Sequence, residues 1–290
     1  MLGDGGNIKI NTPRLTVIDG AELSAKTRGI GDGGTININA SELVEVIGIS
    51  DVDSSSASTI TTESRSTITS GDSGDIQIAT PELIIKDGAN LTVDTQGTGI
   101  GGNIELQIDN LNLENGFIDA TTRSTRGGNI NVTADDIITM RRDSQISTTA
   151  GNEEFGGNGG NITINSPFIV AFPGNNQSND ITANAFTGNG GNINITTQAL
   201  FGIEFRNQLT IFNDITASSE FGIDGSVNIE TLEIDPTRDL TQLPQETVNA
   251  EVSQNCQASR GGALIQFYDV GTGGIPYSPN SLSSAEPFIN

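Results

Sequence analysis

One short phrase, Gly-Gly-Asn-Ile-x-Ile, recurs along this chain of 290 residues and constrains its fold more than any other feature. Eight copies can be recognised, the last of which has decayed to Asp-Gly-Ser-Val-Asn-Ile. They start at residues 5, 33, 73, 101, 127, 159, 190 and 224, with a mean spacing of about 31 residues. A fixed period of this size is typical of proteins built from stacked structural repeats.

Within each copy, apolar and polar residues alternate with period two, which predicts a strand with one buried face. The apolar positions form two columns of mostly β-branched residues, as a pleated and half-buried surface favours. The first column is Ile8, Ile36, Ile76, Ile104, Ile130, Ile162, Ile193 and Val227. The second column is Ile10, Ile38, Ile78, Leu106, Val132, Ile164, Ile195 and Ile229.

Two further strands are predicted in each repeat. The second is marked by Leu15, Leu43, Leu83, Leu111, Ile137 and Leu200, ten residues after the start of their copies, and by Phe168 and Leu232 at slightly shorter offsets. The third begins at Leu23, Ile60, Leu91, Ile118, Ile146, Ile181 and Ile215. Turns separate the second strand from the third at Asp19-Gly20, Asp87-Gly88 and Asn115-Gly116, and more weakly at Asp143-Ser144.

Three short strands per repeat cannot bury their apolar faces alone. Coiling the chain, so that each strand pairs in parallel with its equivalent in the next coil, buries these faces and pairs the backbone. We therefore expect an all-β fold, a right-handed parallel β-helix of about eight coils, with the handedness set by the crossover rule. A β-sandwich or barrel does not require side chains to recur in register, and a propeller needs longer repeats.

The corner before the first strand carries the glycine pairs, where a Cβ would clash in a tight bend. The asparagine that follows them recurs at residues 7, 103, 129, 161 and 192. It forms either a hydrogen-bonded amide ladder or a solvated turn. The long gap between the second and third copies holds an insertion rich in small polar residues, from 48 to 72, which is either a flexible loop or a loop that contacts a ligand.

Residues 1–235 are predicted to form the β-helix, and residues 236–290 a Pro-rich tail that caps the last coil and is otherwise extended.

Phenylalanines cluster between residues 155 and 221. We expect most of them to widen the core, with Phe155, Phe186 and Phe221 as candidates for an exposed patch.

The chain has 36 acidic and 13 basic residues and a net charge of −23. This charge argues against binding to nucleic acid or to anionic lipid. No apolar run is long enough to insert into a membrane. Cys256 is the single cysteine, so no intrachain disulfide is available.

Catalytic chemistry finds little support in the sequence. Histidine is absent, and the adjacent acidic pairs Asp135-Asp136 and Glu153-Glu154 are expected in turns or connections, away from basic or aromatic residues. The pair Arg141-Arg142 is interpreted as a solvated turn. We predict no catalytic, cofactor-binding or metal-binding residue and no cofactor. Asp32 lies in an isolated near match to a calcium-binding repeat, and Cys256 has no histidine base.

The phrase Gly-Gly-Asn-Ile-x-Ile, followed by Leu-x-Val-x-Asp-Gly-Ala-x-Leu-Ser-Ala over residues 5–25, resembles the repeats of filamentous haemagglutinin-like exoproteins of two-partner secretion, especially the cyanobacterial group. The tail adds to the resemblance through Gln254-Asn255-Cys256 and the segment Gly-Gly-Ile-Pro-Tyr-Ser-Pro-Asn at residues 273–280. The resemblance implies secretion through an outer-membrane pore and a location at the cell surface, associated with the outer membrane.

The same resemblance implies an adhesive or structural role and, as partners, the two-partner secretion pore and the surface of a host cell, a neighbouring cell or a polysaccharide. We expect this chain to lack the amino-terminal secretion domain of that family and to be a fragment or the product of a split gene. The alternative is a carbohydrate-active β-helix enzyme or a polysaccharide-binding module, because parallel β-helices also carry such functions. That alternative predicts carboxylates from adjacent coils that converge in one groove.

Overall fold

The computed structural model describes residues 3–52, 56–66, 71–123, 126–152, 155–174 and 177–231, and this part of the chain contains strands and turns but no helix. The strands are β1 (Ile8–Ile18), β2 (Glu22–Thr27), β3 (Ile36–Ile47), β4 (Thr59–Ser64), β5 (Ile76–Lys86), β6 (Asn90–Thr95), β7 (Ile104–Glu114), β8 (Phe117–Thr122), β9 (Ile130–Arg141), β10 (Gln145–Ser147), β11 (Ile162–Asn165), β12 (Phe168–Ala171), β13 (Asp180–Thr182), β14 (Asn192–Thr197), β15 (Ala199–Phe201), β16 (Glu204–Phe205), β17 (Asp214–Thr216) and β18 (Ser226–Thr231).

Equivalent strands of consecutive repeats stack in parallel and form two sheets. The first sheet has the order β1-β3-β5-β7-β9-β11-β14-β18, with β12 and β15 beside this path. The second has the order β2-β4-β6-β8-β10-β13-β17-β16. The predicted fold class is confirmed: the chain is a parallel β-solenoid in which about seven turns connect the eight copies of the repeat.

Both predicted columns of the first strand are confirmed residue by residue. Ile8 pairs with Ile36, Ile36 with Ile76, and the series continues through Ile193 to Val227. The second column follows the same register from Ile10 to Ile229. The inner members of both columns are fully buried, because alternate residues of a strand face the same side and the neighbouring coils cover them.

The first two predicted strands are one continuous strand in the first five coils, with 11 or 12 residues each. An irregular position marks the bend between the two segments, and pairing resumes after it. Pro13 and Pro81 lie at this position, where the missing N–H costs no ladder hydrogen bond. Among the described residues, more than two separate strands per coil occur only in the sixth coil, as β11, β12 and β13, and in the seventh, as β14, β15, β16 and β17.

The predicted column of the second segment is wrong by one residue in three coils. The observed column is Leu15, Val44, Leu83, Leu111, Ile138, Ile169 and Leu200. The sequence pointed instead to Leu43, Ile137 and Phe168. An extra residue at the bend of β3 and β9 moves every later side chain to the opposite face, since the side-chain period of a strand is two.

The phenylalanine-rich region is not a widened core, and that prediction is wrong. Seven of its side chains are exposed: Phe155, Phe168, Phe172, Phe201, Phe205, Phe212 and Phe221. Phe168 is 40% exposed because it faces outward while Ile169 faces inward. Phe186 is half-buried and packs edge-to-face on Phe221, with the ring centroids 5.1 Å apart.

The third predicted strand is confirmed, with Leu23, Ile60 and Leu91 at the start of one inward column that continues to Ile215. The turns before it use left-handed backbone conformations, as at Asp19 (φ 57°) and Gly20 (φ 78°). In the fifth coil these residues are Arg142 (φ 55°) and Asp143 (φ 62°), one position earlier than predicted.

The asparagine ladder is confirmed for four of its five predicted members, 103, 129, 161 and 192, as a chain of hydrogen bonds along the corner of the solenoid. Asn7 does not join it, because the next coil has Thr35 there, whose backbone N–H donates to Asn7 Oδ1 at 2.8 Å. Asn129 Nδ2 donates to Asn103 Oδ1 at 2.8 Å, Asn161 Nδ2 to Asn129 Oδ1 at 3.1 Å, and Asn192 Nδ2 to Asn161 Oδ1 at 3.0 Å. Each acceptor also receives the backbone N–H of the next asparagine. Asp75 begins the ladder by accepting from Asn103 Nδ2 at 3.0 Å.

From the second coil onwards, the second glycine of the repeat lies where two coils approach closely. A Cβ on Gly128 would overlap the carbonyl oxygen of Gly102, and a Cβ on Gly160 would overlap that of Gly128. Glycine is therefore required by the contact between coils rather than by a left-handed backbone conformation.

The insertion between the second and third copies contains β4, which joins the second sheet at the place of the third predicted strand. Before it, Ser50 N donates to Ser56 O at 2.8 Å and closes a short loop. Residues 53–55 and 67–70 of the insertion lie outside the described residues, as do Leu232 and the predicted tail from 236 to 290.

Candidate functional site

A polar groove runs along the bend between the two segments of the long strands. Two of its concavities have volumes of about 460 and 250 Å³, and they share Thr133 and Asp135. The groove follows one column of register, since Gln107 pairs with Thr133 and Thr133 with Asn165. Amides, hydroxyls and carboxylates of consecutive coils therefore line it at the spacing of the strands, ~4.8 Å.

Two carboxylates from adjacent coils, Asp109 and Asp135, line this groove. Asp135 and Asp136 were expected in a turn, but both lie inside β9, at its irregular position, and both are exposed. The described residues that line the two concavities include neither a basic nor an aromatic side chain. The groove can thus hydrogen-bond a polar polymer, but its lining residues offer no cation to stabilise a developing negative charge.

A second group of carboxylates lies on the outer face of the second sheet. Glu63 in β4, Asp94 in β6 and Asp119 in β8 come from three consecutive coils, and we call them the carboxylate row. Glu63 pairs directly with Asp94, while Asp119 pairs with Thr92 and is thus a diagonal neighbour of Asp94. Cα atoms in such a diagonal relation lie about 8 Å apart.

Glu63 is the fully ion-paired member of the row. Its side chain is almost completely buried and contacts Arg65 (Nε to Oε1, 2.6 Å) and Lys26 (Nζ to Oε2, 3.4 Å). Gln96 Nε2 also donates to Glu63 Oε1 at 2.9 Å. Lys26 in turn hydrogen-bonds Glu22, which lowers the pKa of that carboxyl. The negative charge of Glu63 is therefore balanced by two basic side chains.

The other two members, Asp94 and Asp119, form no ion pair with a described residue. Burial, together with the charge of Glu63, raises the pKa of Asp94, against a weak hydrogen bond from Thr121 Oγ1 at 3.4 Å. Burial, followed by the charge of Asp94, raises the pKa of Asp119 to about 7. Between about pH 4 and pH 7, where an ordinary aspartate is ionised, Asp119 is therefore largely protonated. A carboxyl that is protonated near neutral pH can act as a general acid.

Asp32 lies outside both groups of carboxylates, at a corner of the solenoid where it bonds the adjacent coils. Its Oδ1 accepts the backbone N–H of Asp72 at 2.9 Å, and Asp4 Oδ1 accepts the N–H of Asp32 at 3.1 Å. This carboxylate is engaged in a ladder along one corner. Within the described residues, no group of three or more His, Cys, Asp or Glu side chains is placed to hold a metal ion.

The arginine pair is exposed, as predicted, but only Arg142 lies in the turn. Arg141 is the last residue of β9, and its guanidinium lies 4.0 Å above the ring centroid of Phe172. Arg142 begins the turn, and its Nη1 contacts Glu114 Oε1 at 2.8 Å. Sequence spacing gave no signal of either contact, because both depend on the register between coils. Glu153, Glu154 and Cys256 lie outside the described residues.

Comparison of the chain with protein-family models, with curated proteins and with solved structures finds no match. The described residues also include no helix long and apolar enough to cross a membrane.

Proposed function

We propose that the chain is a non-catalytic segment of a secreted surface protein, of the kind that filamentous haemagglutinin-like exoproteins of two-partner secretion represent. Its role is to present an elongated polar surface for adhesion to a cell or a polysaccharide. The observation that carries the proposal is the unbroken stacking of eight repeat copies, held together by two buried columns, a third inward column and a ladder of asparagines.

Three features support this role over an intracellular one. The stacking continues from coil to coil, so the rod can be long without a larger core. Acidic residues outnumber basic ones by 36 to 13, which keeps such a rod soluble at high exposure. The repeats and the tail resemble those of the exoprotein family. The proposed partners are the outer-membrane pore during export and a polysaccharide or cell surface afterwards.

Export is tested by fusing the chain behind the secretion domain of a two-partner exoprotein and co-expressing the matching pore. An epitope tag inserted after Val52, which is 99% exposed, reports surface location in intact cells. We expect antibody labelling and protease sensitivity only when the pore is present. Retention of the tagged chain inside the cell with a functional pore would contradict the proposal.

A carbohydrate-active β-helix is the second candidate, and one observation favours it. Asp119, whose pKa is raised to about 7, lies beside Asp94 on the outer face of a β-helix, so one carboxyl of this pair can hold a proton near neutral pH. The test is release of reducing ends from acidic and neutral polysaccharides by the purified chain. Activity that is lost in both Asp119→Asn and Asp94→Asn would replace the structural role with this one.

A further inference from the structure

A hollow lies where β7, β9 and β12 end, in the fourth, fifth and sixth coils. Its volume is about 370 Å³. We call it the Arg–Phe hollow, and it is lined by Glu114, Arg141, Arg142, Phe172, Pro173 and Gln177. A smaller concavity of about 170 Å³ shares Pro173 and Gln177 and extends to Arg206 and Phe212.

The pairing of strands from consecutive coils brings the lining residues of this hollow together. Glu114 pairs with Arg141 across β7 and β9, and Phe172 follows in the next coil, where its backbone N–H donates to Met140 O at 2.9 Å. Phe172 is 41% exposed, and the guanidinium of Arg141 lies over its ring. A stacked guanidinium is held flat while its N–H donors point away from the ring edge.

Arg141 is the arginine of this region whose charge is not paired. Arg142 contacts Glu114 at 2.8 Å, and Arg206 contacts both Asp214 and Glu204. In the part of the chain that the structure describes, Arg141 forms neither an ion pair nor a hydrogen bond through its side chain. The region thus presents a preorganised cationic fork on a chain whose net charge is −23.

We propose that the Arg–Phe hollow binds a carboxylate-bearing saccharide, such as the uronate units of an acidic polysaccharide. Arg141 holds the carboxylate through two parallel N–H donors, the geometry in which guanidinium and carboxylate match. The apolar C–H face of the sugar ring packs on the exposed surface of Phe172 and on Pro173. The Gln177 amide and the Glu114 carboxylate are placed to bond ring hydroxyls.

The charges around the hollow favour a singly charged group over a phosphate. Two carboxylates, Glu114 and Glu204, line the two concavities, and each would repel a dianion more strongly than a monoanion. The aromatic and proline surface adds apolar contact that a small inorganic anion cannot use. A polymer of uronates also fits an open hollow on the side of a rod, because its chain can continue beyond the site.

This inference rests on the proposed surface role, which gives the chain access to a polysaccharide. The two proposals can nevertheless be contradicted independently, because different experiments test them. Surface location is measured in cells, whereas binding is measured with the purified full chain. Titration calorimetry compares trigalacturonate with galactotriose, which has the same ring hydroxyl pattern but lacks the carboxylates. We expect binding of the uronate oligomer and at least tenfold weaker binding of the neutral one.

Three variants locate the site. Arg141→Gln keeps most of the side-chain stem but removes the charge, and we expect it to weaken trigalacturonate binding about tenfold or more. Phe172→Leu removes the ring on which Arg141 is stacked, and we expect about threefold to tenfold weaker binding. The control is Arg28→Gln, the same charge change at an exposed arginine of the first coil, and we expect it to bind like the parent chain.

Far-UV circular dichroism confirms that each variant retains its strands. The proposal is overturned if the parent chain does not bind trigalacturonate up to about 10 mM, or if galactotriose binds equally well. It is also overturned if a folded Arg141→Gln chain binds as the parent does, or if Arg28→Gln lowers the affinity as much as Arg141→Gln.

Discussion

Replacing Asn129 by alanine should destabilise the solenoid by about 2–3 kcal/mol. Its Nδ2 donates to Asn103 Oδ1 at 2.8 Å, and its Oδ1 accepts both the backbone N–H and the Nδ2 of Asn161 at 3.1 Å. Each such hydrogen bond contributes about 1 kcal/mol net, and the loss leaves two donors of Asn161 without their acceptor in a half-buried corner. The ladder is thus interrupted between the fourth and sixth coils.

Urea unfolding followed by far-UV circular dichroism measures the change in the free energy of unfolding. The matched control is Asn131→Ala, two residues further on, where the side chain is exposed on the outer face of β9 and the expected change is below about 0.5 kcal/mol. Asn129→Asp keeps the acceptors, as Asp75 does in the third coil, and should fall between the two. If Asn129→Ala is no more destabilising than Asn131→Ala, the ladder does not hold the coils together.

Four further substitutions test other features of the solenoid. Gly160→Ala should cost about 2 kcal/mol or more in urea unfolding, because its Cβ would overlap a carbonyl oxygen of the preceding coil; an unchanged midpoint would show that the coils can separate there at little cost. Ile169→Ala should lower the free energy of unfolding by about 3 kcal/mol, because Ile169 is fully buried. Phe168→Ala should lower it by less than about 1 kcal/mol. A larger loss for Phe168→Ala than for Ile169→Ala would indicate that Phe168 faces the core, as the sequence had suggested. The folded chain retains a proton on Asp119 that the unfolded chain releases, so the contribution of this residue to stability is full below pH 4 and is lost as the pH rises to about 7. Asp119→Asn should therefore raise the melting temperature at pH 8 and flatten its decline between pH 4 and 8, and a decline as steep as that of the parent chain would rule out this carboxyl as its source.

The sequence predicted the stacked first strand completely because two independent periods agree there. The alternation within a copy places Ile8 and Ile10 on one face, and the repeat places Ile36 and Ile38 above them. The second segment was less predictable. A single extra residue at the bend of β3 reverses inside and outside, and Leu43 looks as suitable for the core as Val44 does.

The candidate sites were harder to predict than the fold. Asp119 stands between Ile118 and Ala120 in a strand, so alignment of the copies could have placed it on the outer face beside Asp94. Its raised pKa could not be predicted, because burial depends on what surrounds that face. Contact between Arg141 and Phe172 needs the register of two coils joined by a connection of irregular length, and no spacing in the sequence reports it.

The separation of inward from outward positions explains how such a rod can acquire a binding site without losing stability. Inward columns, glycine contacts and the asparagine ladder hold neighbouring coils together, and these leave the outward ends of the long strands unconstrained. Successive coils place Lys86, Glu114, Arg141 and Phe172 at one such outward column. A substitution there alters the chemistry of one patch by a charge or a ring, while the stacking beneath it is unchanged. A ligand-specific patch is thus best sought in the coils where the outward residues depart from the polar pattern, and the exposed phenylalanines lie in the later coils.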